Sequence, residues 1–289
     1  MKSTQELIAL IHLKEIDKQL FTGRSEPVGS RIVFGGQVLA QALNAAYRTV
    51  SEDRVCHSLH GYFILPGNLQ KDIVYKVQLV RDGGSFTTRY VTAEQEGVSI
   101  FVMAASFQKE ESGYEFQEKM PEVPAPETLF SWEDIYNQTK DFLPKSFADF
   151  LSLERPITFK PTIINNPLEK IDLPPMQNVW FKFNELNGEI SLQHFQEMLA
   201  YASDYNILVT ALQPHASKAH FGNTQMASLD HAMWFHRKPE DFSDWFLYSV
   251  DVPSTSNARG LTSGKIFSRD GKLIATIAQE GLMRKMKKN

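Results

Sequence analysis

The sequence predicts an α+β fold that is built twice, each repeat having one central helix wrapped by a curved antiparallel sheet. The first observation behind this prediction is a pair of long apolar runs with almost no charge, residues 37–47 and residues 193–213. Apolar side chains at three- and four-residue spacing cover nearly all sides of both runs, which is typical of buried helices. Four strand-like runs follow each helix, with a tight turn before the last of them.

The second observation is a set of matching motifs at a nearly constant spacing. His60-Gly61-Tyr62-Phe63 lies 171 residues before His231-Ala232-Met233-Trp234, and Gly97 lies 174 residues before Gly271. A near-constant offset across separate elements indicates an internal duplication with small changes in loop length. The sheets of two such repeats can pair edge to edge, which removes two exposed edges.

The first repeat is expected to occupy residues 1–110. Apolar residues recur among charged ones at helical spacing through residues 4–22, which predicts an amphipathic helix. Gly35 and Gly36 then precede the alanine-rich helix of residues 37–47. The predicted strands that follow are residues 55–65, 72–81, 85–92 and 99–107, the last two joined by a turn at Gln95-Glu96-Gly97.

A proline-rich connector is expected at residues 111–175. Nine of the fourteen prolines lie between Pro121 and Pro175. Proline interrupts both helices and sheets, and only residues 132–141 and 146–151 have short helix-like patterns. The connector is therefore predicted to run over the surface without forming a second core.

The second repeat is expected to occupy residues 176–289. Its predicted helix spans residues 193–213, and the turn before its last strand is Arg269-Asp270-Gly271. The predicted strands are residues 179–183, 225–236, 245–252, 258–267 and 273–283.

The composition narrows the classes of partner. The chain has 289 residues, a net charge of −4, a pI near 6.1 and a charged content of 22%. It therefore has no overall basic field for nucleic acid or an anionic membrane surface. No run of about 18 apolar residues predicts a membrane span. A small molecule is the expected partner.

Targeting features are scarce in the sequence. The N-terminal residues Met1-Lys2-Ser3-Thr4 lead into a charged segment where a signal peptide would have an apolar core. Cys56 is the only cysteine, so the chain can form no internal disulfide, and a reducing compartment is expected. The final residues Lys287-Lys288-Asn289 differ from the Ser-Lys-Leu peroxisomal address. We expect a cytoplasmic protein.

Three polar residues enter otherwise apolar elements of the second repeat. Asp204 is the only carboxylate from Met198 to the end of its predicted helix, Ser228 lies at the start of a strand, and Gln279 interrupts the last strand. By the glycine anchor, the first repeat has Ala105 where the second has Gln279. Together an Asp, a Ser and a Gln could hold one water as a nucleophile, with the carboxylate taking its proton. For each residue alone, a structural role is the more common one.

Four motifs make the chain similar to acyl-CoA thioesterase II, a family of double-hotdog hydrolases. The resemblance runs from about residue 5 to residue 285, and the motifs are specific only together. They are Phe34-Gly35-Gly36-Gln37-Val38, His57-Ser58-Leu59-His60-Gly61-Tyr62-Phe63, Leu229-Asp230-His231-Ala232-Met233-Trp234-Phe235-His236-Arg237 and Gln279-Glu280-Gly281-Leu282-Met283-Arg284.

The resemblance implies hydrolysis of acyl-CoA to a free fatty acid and CoA. The catalytic water of the family is held by an Asp, a Ser or Thr, and a Gln, which match Asp204, Ser228 and Gln279 here. Bacterial members often have Thr at the Ser228 position, and Ser keeps the same hydroxyl chemistry. We expect a homo-oligomer, a dimer or tetramer, that needs no cofactor.

Further residues are candidates for substrate binding. The free amides at a glycine-rich helix start suit a carbonyl or anionic oxygen, although tight packing on a strand also explains paired glycines. Arginines at strand ends can bind the CoA phosphates in bidentate fashion, and solvated surface arginines are the alternative. His57 is expected to be structural or to line an acyl channel. The candidates are Gly35, Gly36, His57, Arg237, Arg259 and Arg284.

Other kinds of catalysis fit the sequence less well. Ser228, Asp230 and His231 suggest a serine-hydrolase triad, but near neighbours on one strand point alternately to its two faces, and no G-x-S-x-G turn is present. The histidine pairs lack a third ligand at a recognised zinc spacing, so no metal site is expected. The remaining alternatives are a hotdog hydratase, whose Asp, Asn and His motif is not visible here, and an acyl-CoA-binding protein without turnover.

Overall fold

The computed structural model describes residues 1–143, 145–164, 169–186 and 190–286. Within these ranges the chain forms six α-helices and thirteen strands, and the strands join in one sheet. Residues 287–289, to which the targeting interpretation referred, lie outside the described residues. In the described part of the chain, no helix is long and apolar enough to cross a membrane.

The N-terminal half contains a central helix and the four strands that the sequence predicts to follow it. At the predicted hairpin turn, Glu96 and Gly97 have positive φ angles of 51° and 79°, a conformation that glycine adopts without strain. The elements of this half are α1 (Thr4–Ile11), β1 (Lys14–Asp17), β2 (Leu20–Gly23), α2 (Gly35–Tyr47), β3 (Val55–Phe63), β4 (Ile73–Asp82), β5 (Phe86–Gln95) and β6 (Val98–Gln108).

The prediction of a single helix over residues 4–22 is wrong. α1 begins at a capping box formed by Ser3 and Glu6 and ends after two turns, and β1 and β2 form a hairpin in its place. β2 pairs with β4, and this pairing buries the ring of Phe21 in the core. Sheet pairing and burial of Phe21 therefore override the helical periodicity of this stretch.

The remaining elements also depart from the sequence prediction in places. The connector contains the two short predicted helices, but it also contains a strand, β7, that the prolines around it concealed. These elements are α3 (Trp132–Thr139), α4 (Lys145–Leu151), β7 (Ile157–Pro161), β8 (Met176–Phe183), α5 (Leu192–Ser203), α6 (Ile207–Thr210), β9 (Thr224–Ser228), β10 (Asp230–Phe235), β11 (Phe246–Ser256), β12 (Arg259–Ser268) and β13 (Leu273–Lys285).

The second central helix is shorter than the predicted span of residues 193–213. α5 ends at Ser203, Asp204 is its C-cap, and Asn206 has a left-handed φ of 66° before α6 begins. Asn tolerates the left-handed region better than most residues, so it can turn the chain here. Apolar periodicity continues through the turn, because the residues on both sides of it are buried.

One sheet runs through the whole molecule. The strand order is β1-β2-β4-β5-β6-β3-β10-β13-β12-β11-β8-β7, and β9 pairs with β13 beside β10. The two halves join where β3 pairs with β10 in antiparallel fashion. The predicted edge-to-edge pairing of the two sheets is therefore confirmed, and it leaves no free edge at the centre of the molecule.

Strand pairing corrects the register of the duplication. Across the junction, Leu59 pairs with Met233 and Gly61 pairs with His231, and all four residues are buried. These pairs exchange under a two-fold axis if Leu59 matches His231 and Gly61 matches Met233, an offset of 172 residues. The predicted match of His60 with His231 is wrong by one residue, because His60 points to the outer, exposed face.

The two central helices pack against each other inside the curved sheet. Nearly every residue of α2 and most of α5 are buried. Polar side chains join the helices: the Asn44 amide donates to Glu197 at 3.0 Å, and the Tyr47 hydroxyl donates to Gln196. The core thus contains a hydrogen-bonded seam along the pseudo-two-fold axis.

Residues 109–131, here called the strap, run across the outer face of the second half. The strap is held by the Gln117 amide, which bonds the backbone of Gly271 and Leu273, and by the Trp180 indole, which donates to the Pro124 carbonyl at 2.9 Å. Apolar strap residues cover a small second cluster on this face. They are Met120, Val123 and Leu129, packed on Trp180, Leu247, Phe267 and Leu273.

Candidate active site

Asp204 lies where the two halves meet. Its Oδ2 accepts a hydrogen bond at 2.8 Å from the backbone amide of Gly36, at the start of α2. The residue keeps some exposure, but its Oδ1 is buried and meets no donor at hydrogen-bonding geometry among the described residues. This oxygen is the part of the carboxylate that can accept a proton from a substrate water.

The two glycines permit this close contact between the helices. A Cβ atom at Gly36 would lie 2.5 Å from the Tyr201 carbonyl oxygen, and a Cβ atom at Gly35 would lie 2.8 Å from Asp204 Oδ2. Any larger residue would push α2 away from the end of α5. The amide that the sequence predicted to face an oxygen is that of Gly36, and the oxygen it meets here is that of Asp204.

The surroundings of Asp204 oppose its ionisation. Loss of hydration raises the pKa of the carboxyl from 3.8 to about 7, while the side chain of Gln279 and the amide of Gly36 lower it in part. The end of its own helix, α5, disfavours negative charge, whereas the start of α2 favours it. Asp204 is thus a carboxylate that gains and loses a proton near neutral pH, as a general base requires.

Ser228 and Gln279 lie beside this carboxylate on neighbouring strands. The Gln279 Nε2 donates to Ser228 Oγ at 2.8 Å. Ser228 ends β9, and Leu229 separates β9 from β10 because its amide bonds the Glu280 carbonyl while its carbonyl bonds the amide of Phe63. The predicted single strand over residues 225–236 is therefore broken at the position that places the serine hydroxyl.

His231 is a buried site residue to which the sequence reasoning assigned no role beyond a rejected triad. Its Nδ1 lies 2.5 Å from Gln279 Oε1, and its Nε2 lies 3.0 Å from Ser203 Oγ. Burial lowers the pKa of His231 to about 4, so the ring is neutral at physiological pH. The signal that could have revealed it was its position facing Gln279 on the adjacent strand, which follows only from the correct register.

The first half lacks a matching site. In the strand register, Cys56, Leu59 and Ala105 occupy the positions of Ser228, His231 and Gln279. The predicted match of Gln279 with Ala105 agrees with this pairing, whereas the predicted match of His57 or Ser58 with Ser228 is wrong. Tyr47 lies near the end of α2, and its hydroxyl accepts a hydrogen bond from the Cys56 amide at 2.8 Å. A phenol therefore stands near the place that a carboxylate occupies in the second half.

The remaining candidate binding residues are dispersed. His57 lies at a bulge of β3 and bonds Ser106 at 2.8 Å, far from the start of β10 and Ser228. Arg237 follows the other end of β10 and bonds Glu115 of the strap at 2.6 Å. Arg259 and Arg284 lie at the same end of the sheet as Ser228, on β12 and β13. The structure brings only the last two near the catalytic candidates.

The fold is that of a double hotdog, and comparisons with known proteins agree with it. A family model described as acyl-CoA thioesterase matches residues 147–282, and a model of the acyl-CoA thioesterase N-terminal domain matches residues 22–108. A hotdog-fold protein of unknown function from Alicyclobacillus acidocaldarius shares 18% identity, with a TM-score of 0.76 over 96% of this chain and 97% of that one.

Two more similar proteins carry names of one kind. Acyl-CoA thioesterase 2 of Haemophilus influenzae is 42% identical over 96% of each chain. An acyl-CoA thioesterase II from Mycobacterium marinum has a solved structure that is 33% identical, with a TM-score of 0.78 over 96% of this chain and 98% of that one. The chain belongs to the acyl-CoA thioesterase family, which is a family of thioester hydrolases.

Replacing Asp204 by Asn is expected to stabilise the folded protein at alkaline pH. The folded state holds a proton on Asp204 up to about pH 7, whereas the unfolded chain loses it near 3.8. Stability therefore falls as the pH rises between these values and stays lower above them. Thermal unfolding should show a higher Tm for Asp204→Asn at alkaline pH and a vanishing difference at acidic pH.

The exposed Asp72 provides a control for this measurement. Asp72→Asn should leave the difference in Tm from the wild type independent of pH. A Tm difference for Asp204→Asn that does not vary with pH would contradict the raised pKa.

Proposed function

We propose that this protein hydrolyses acyl-CoA thioesters to a free fatty acid and CoA, using a water held by Asp204, Ser228 and Gln279. The observation that carries the proposal is the arrangement of these groups: a carboxylate with a pKa near 7 beside a serine bonded by a glutamine amide. The names of the most similar proteins support the substrate class.

The proposed reaction begins with proton transfer from the water to the carboxylate of Asp204. The water oxygen attacks the thioester carbonyl carbon, and the electron pair of the C=O bond moves to oxygen. When this tetrahedral intermediate collapses, the C–S bond breaks and the proton held by Asp204 passes to the sulfur of CoA. The products are a carboxylic acid and a thiol, and the carboxylate is regenerated.

Ser228 and Gln279 orient the water in this proposal. Because the Gln279 amide donates to Ser228 Oγ, the hydroxyl proton of the serine is directed to another acceptor, such as the water oxygen. The start of α2, with Gly35 and Gly36, lies beside the carboxylate and favours negative charge on the thioester oxygen as well.

A hydratase and a non-catalytic acyl-CoA-binding protein would share much of this fold. Only a thioesterase releases a free thiol from acyl-CoA, so thiol release followed with a thiol reagent distinguishes the three. Release of thiol at the rate of acid formation supports the proposal, and acyl-CoA that is bound or hydrated without thiol release contradicts it.

We also propose a homo-oligomer, a dimer or tetramer, in the cytoplasm. Tyr62 is 59% exposed on the outer face of β3, next to the exposed His60, and an aromatic outer face is the kind of surface that a second copy can cover. Cys56 is buried and unpaired, which fits a reducing compartment. Light scattering on the purified protein measures the oligomeric state, and a monomer would contradict the first part.

Asp204→Asn is expected to lower turnover by about 10²–10⁴, because it removes the base while keeping the size of the side chain. For the wild type, kcat/KM should fall about tenfold per pH unit below a midpoint near 7, where Asp204 becomes protonated. Steady-state thiol release across a range of pH measures both effects.

His57→Asn is the control for the one-site proposal and should keep most of the activity, because His57 lies away from Asp204. Near wild-type turnover in a folded Asp204→Asn protein would exclude Asp204 as the base. A residual half of the rate that disappears when His57 is also replaced would instead indicate a second site in the first half.

The hydroxyl of Ser228 should matter more than its size. Ser228→Thr keeps a hydroxyl for the Gln279 amide and should lower kcat only slightly, whereas Ser228→Ala should lower it by about tenfold or more, the worth of one lost hydrogen bond. Turnover of the two variants at saturating acyl-CoA makes the comparison. Equal losses for Thr and Ala would mean that packing at this position, and not the hydroxyl, determines the rate.

We propose Arg259 and Arg284 as partners of the CoA phosphates, because both lie at the Ser228 end of the sheet. Arg259 now bonds Glu280 at 2.8 Å with much of its side chain exposed, and such surface pairs are weak enough to exchange for a phosphate. Alanine at each position should raise KM about three- to tenfold and leave kcat nearly unchanged. Arg237→Ala is the control, and an unchanged KM at both sites would place the CoA elsewhere.

A further inference from the structure

We propose that His231 is a positioning residue that fixes the orientation of the Gln279 amide. This inference rests on the proposed function, because it assigns Gln279 to the catalytic water. The amide of a glutamine can adopt two orientations that differ by exchange of oxygen and nitrogen. Only one of them presents an N–H group to Ser228 and Asp204.

The contacts of His231 select that orientation. His231 Nδ1 lies 2.5 Å from Gln279 Oε1, and a carbonyl oxygen only accepts, so Nδ1 carries the proton. With the ring neutral, Nε2 then accepts from the hydroxyl of Ser203 at 3.0 Å. The amide nitrogen of Gln279 is left to donate to Ser228 at 2.8 Å.

These hydrogen bonds form a chain in which every donor points towards the catalytic site. It runs from Ser203 on α5 to His231 on β10, then to Gln279 on β13 and Ser228 on β9. The reversed chain, with Gln279 Oε1 towards the site, would turn an oxygen lone pair at the ionised Asp204. The backbone carbonyl of Ser203 accepts from the Tyr248 hydroxyl at 2.8 Å, so the start of the chain is anchored as well.

The chain also affects the ionisation of Asp204. The Gln279 side chain lowers the pKa of Asp204, so a Gln279 amide that is free to turn would let this pKa rise. Tyr201, Tyr205 and Tyr248 also sense the charge of Asp204, but burial raises the pKa of each above 10 and they stay neutral. Asp230 has a raised pKa as well, and its carboxylate accepts from the backbone amide next to Gln279.

Three substitutions of His231 separate positioning from packing. In His231→Asn the amide nitrogen takes the place of Nδ1 and can donate to Gln279. In His231→Gln the amide lies near the position of Nε2, so it can reach Ser203 but not Gln279. His231→Leu keeps the volume of the buried side chain and removes both hydrogen bonds.

The experiment measures kcat, KM and the pH dependence of kcat/KM with acyl-CoA for each full-length variant. We expect His231→Asn to keep at least about a third of kcat, and His231→Gln and His231→Leu to lose about tenfold, the factor for one hydrogen bond. KM should change little in all three. The midpoint of the acidic limb should move to higher pH in His231→Gln and His231→Leu but not in His231→Asn.

Equal loss of kcat in His231→Asn and His231→Gln, with an unmoved pH midpoint, would overturn the proposal and leave a packing role. Wild-type kcat in all three variants would overturn it as well. If His231→Leu does not fold, the comparison of the Asn and Gln variants decides. Asp204→Asn, assayed in parallel, tests the proposed function separately, because that variant fails whether or not His231 orients Gln279.

Discussion

The pairing of β3 with β10 is the constraint on which the rest of the molecule depends. It fuses two curved sheets into one and brings α2 and α5 side by side in a common core. The start of α2 can then meet the end of α5, and the Gly36 amide bonds the carboxylate of Asp204. The candidate site is therefore a product of the junction, since neither half contains both groups.

Divergence of the two halves concentrates the polar groups on one side of the pseudo-two-fold axis. The second half has Ser228, His231 and Gln279 on adjacent strands, whereas the first half has Cys56, Leu59 and Ala105. Buried polar groups are tolerable only when they are hydrogen-bonded, and the second half satisfies this by a continuous chain of donors and acceptors. The first half fills the same space with apolar packing.

Much of the fold could be predicted from the sequence, because burial imposes strong periodicity. Both central helices, the four strands after each and the hairpin glycines follow from local patterns. The hairpin at residues 14–23 and the strand β7 could not be found this way, since pairing with distant strands creates them. The end of α5 at Asp204 was also hidden, because Asn206 takes a left-handed conformation within an otherwise apolar run.

The candidate site shows the same division between local and distant information. Asp204, Ser228 and Gln279 stand out in the sequence as polar residues in apolar elements. His231 does not, because a histidine on a strand reveals its role only when its cross-strand neighbour is known, and an offset wrong by one residue points it to the other face. Arg237 looked equivalent to Arg284 in sequence, but it lies at the opposite end of its strand.

The covalent link between the repeats has a consequence for how such a site can evolve. If two identical repeats associated as separate chains, every substitution would appear on both sides of the axis, so the molecule would have to bury two acidic groups. A tethered pair keeps its halves together at high effective concentration even when their sequences differ. One repeat is then free to hold a strained, charged centre, while Tyr47 and its neighbours in the other supply the rigidity that this centre needs.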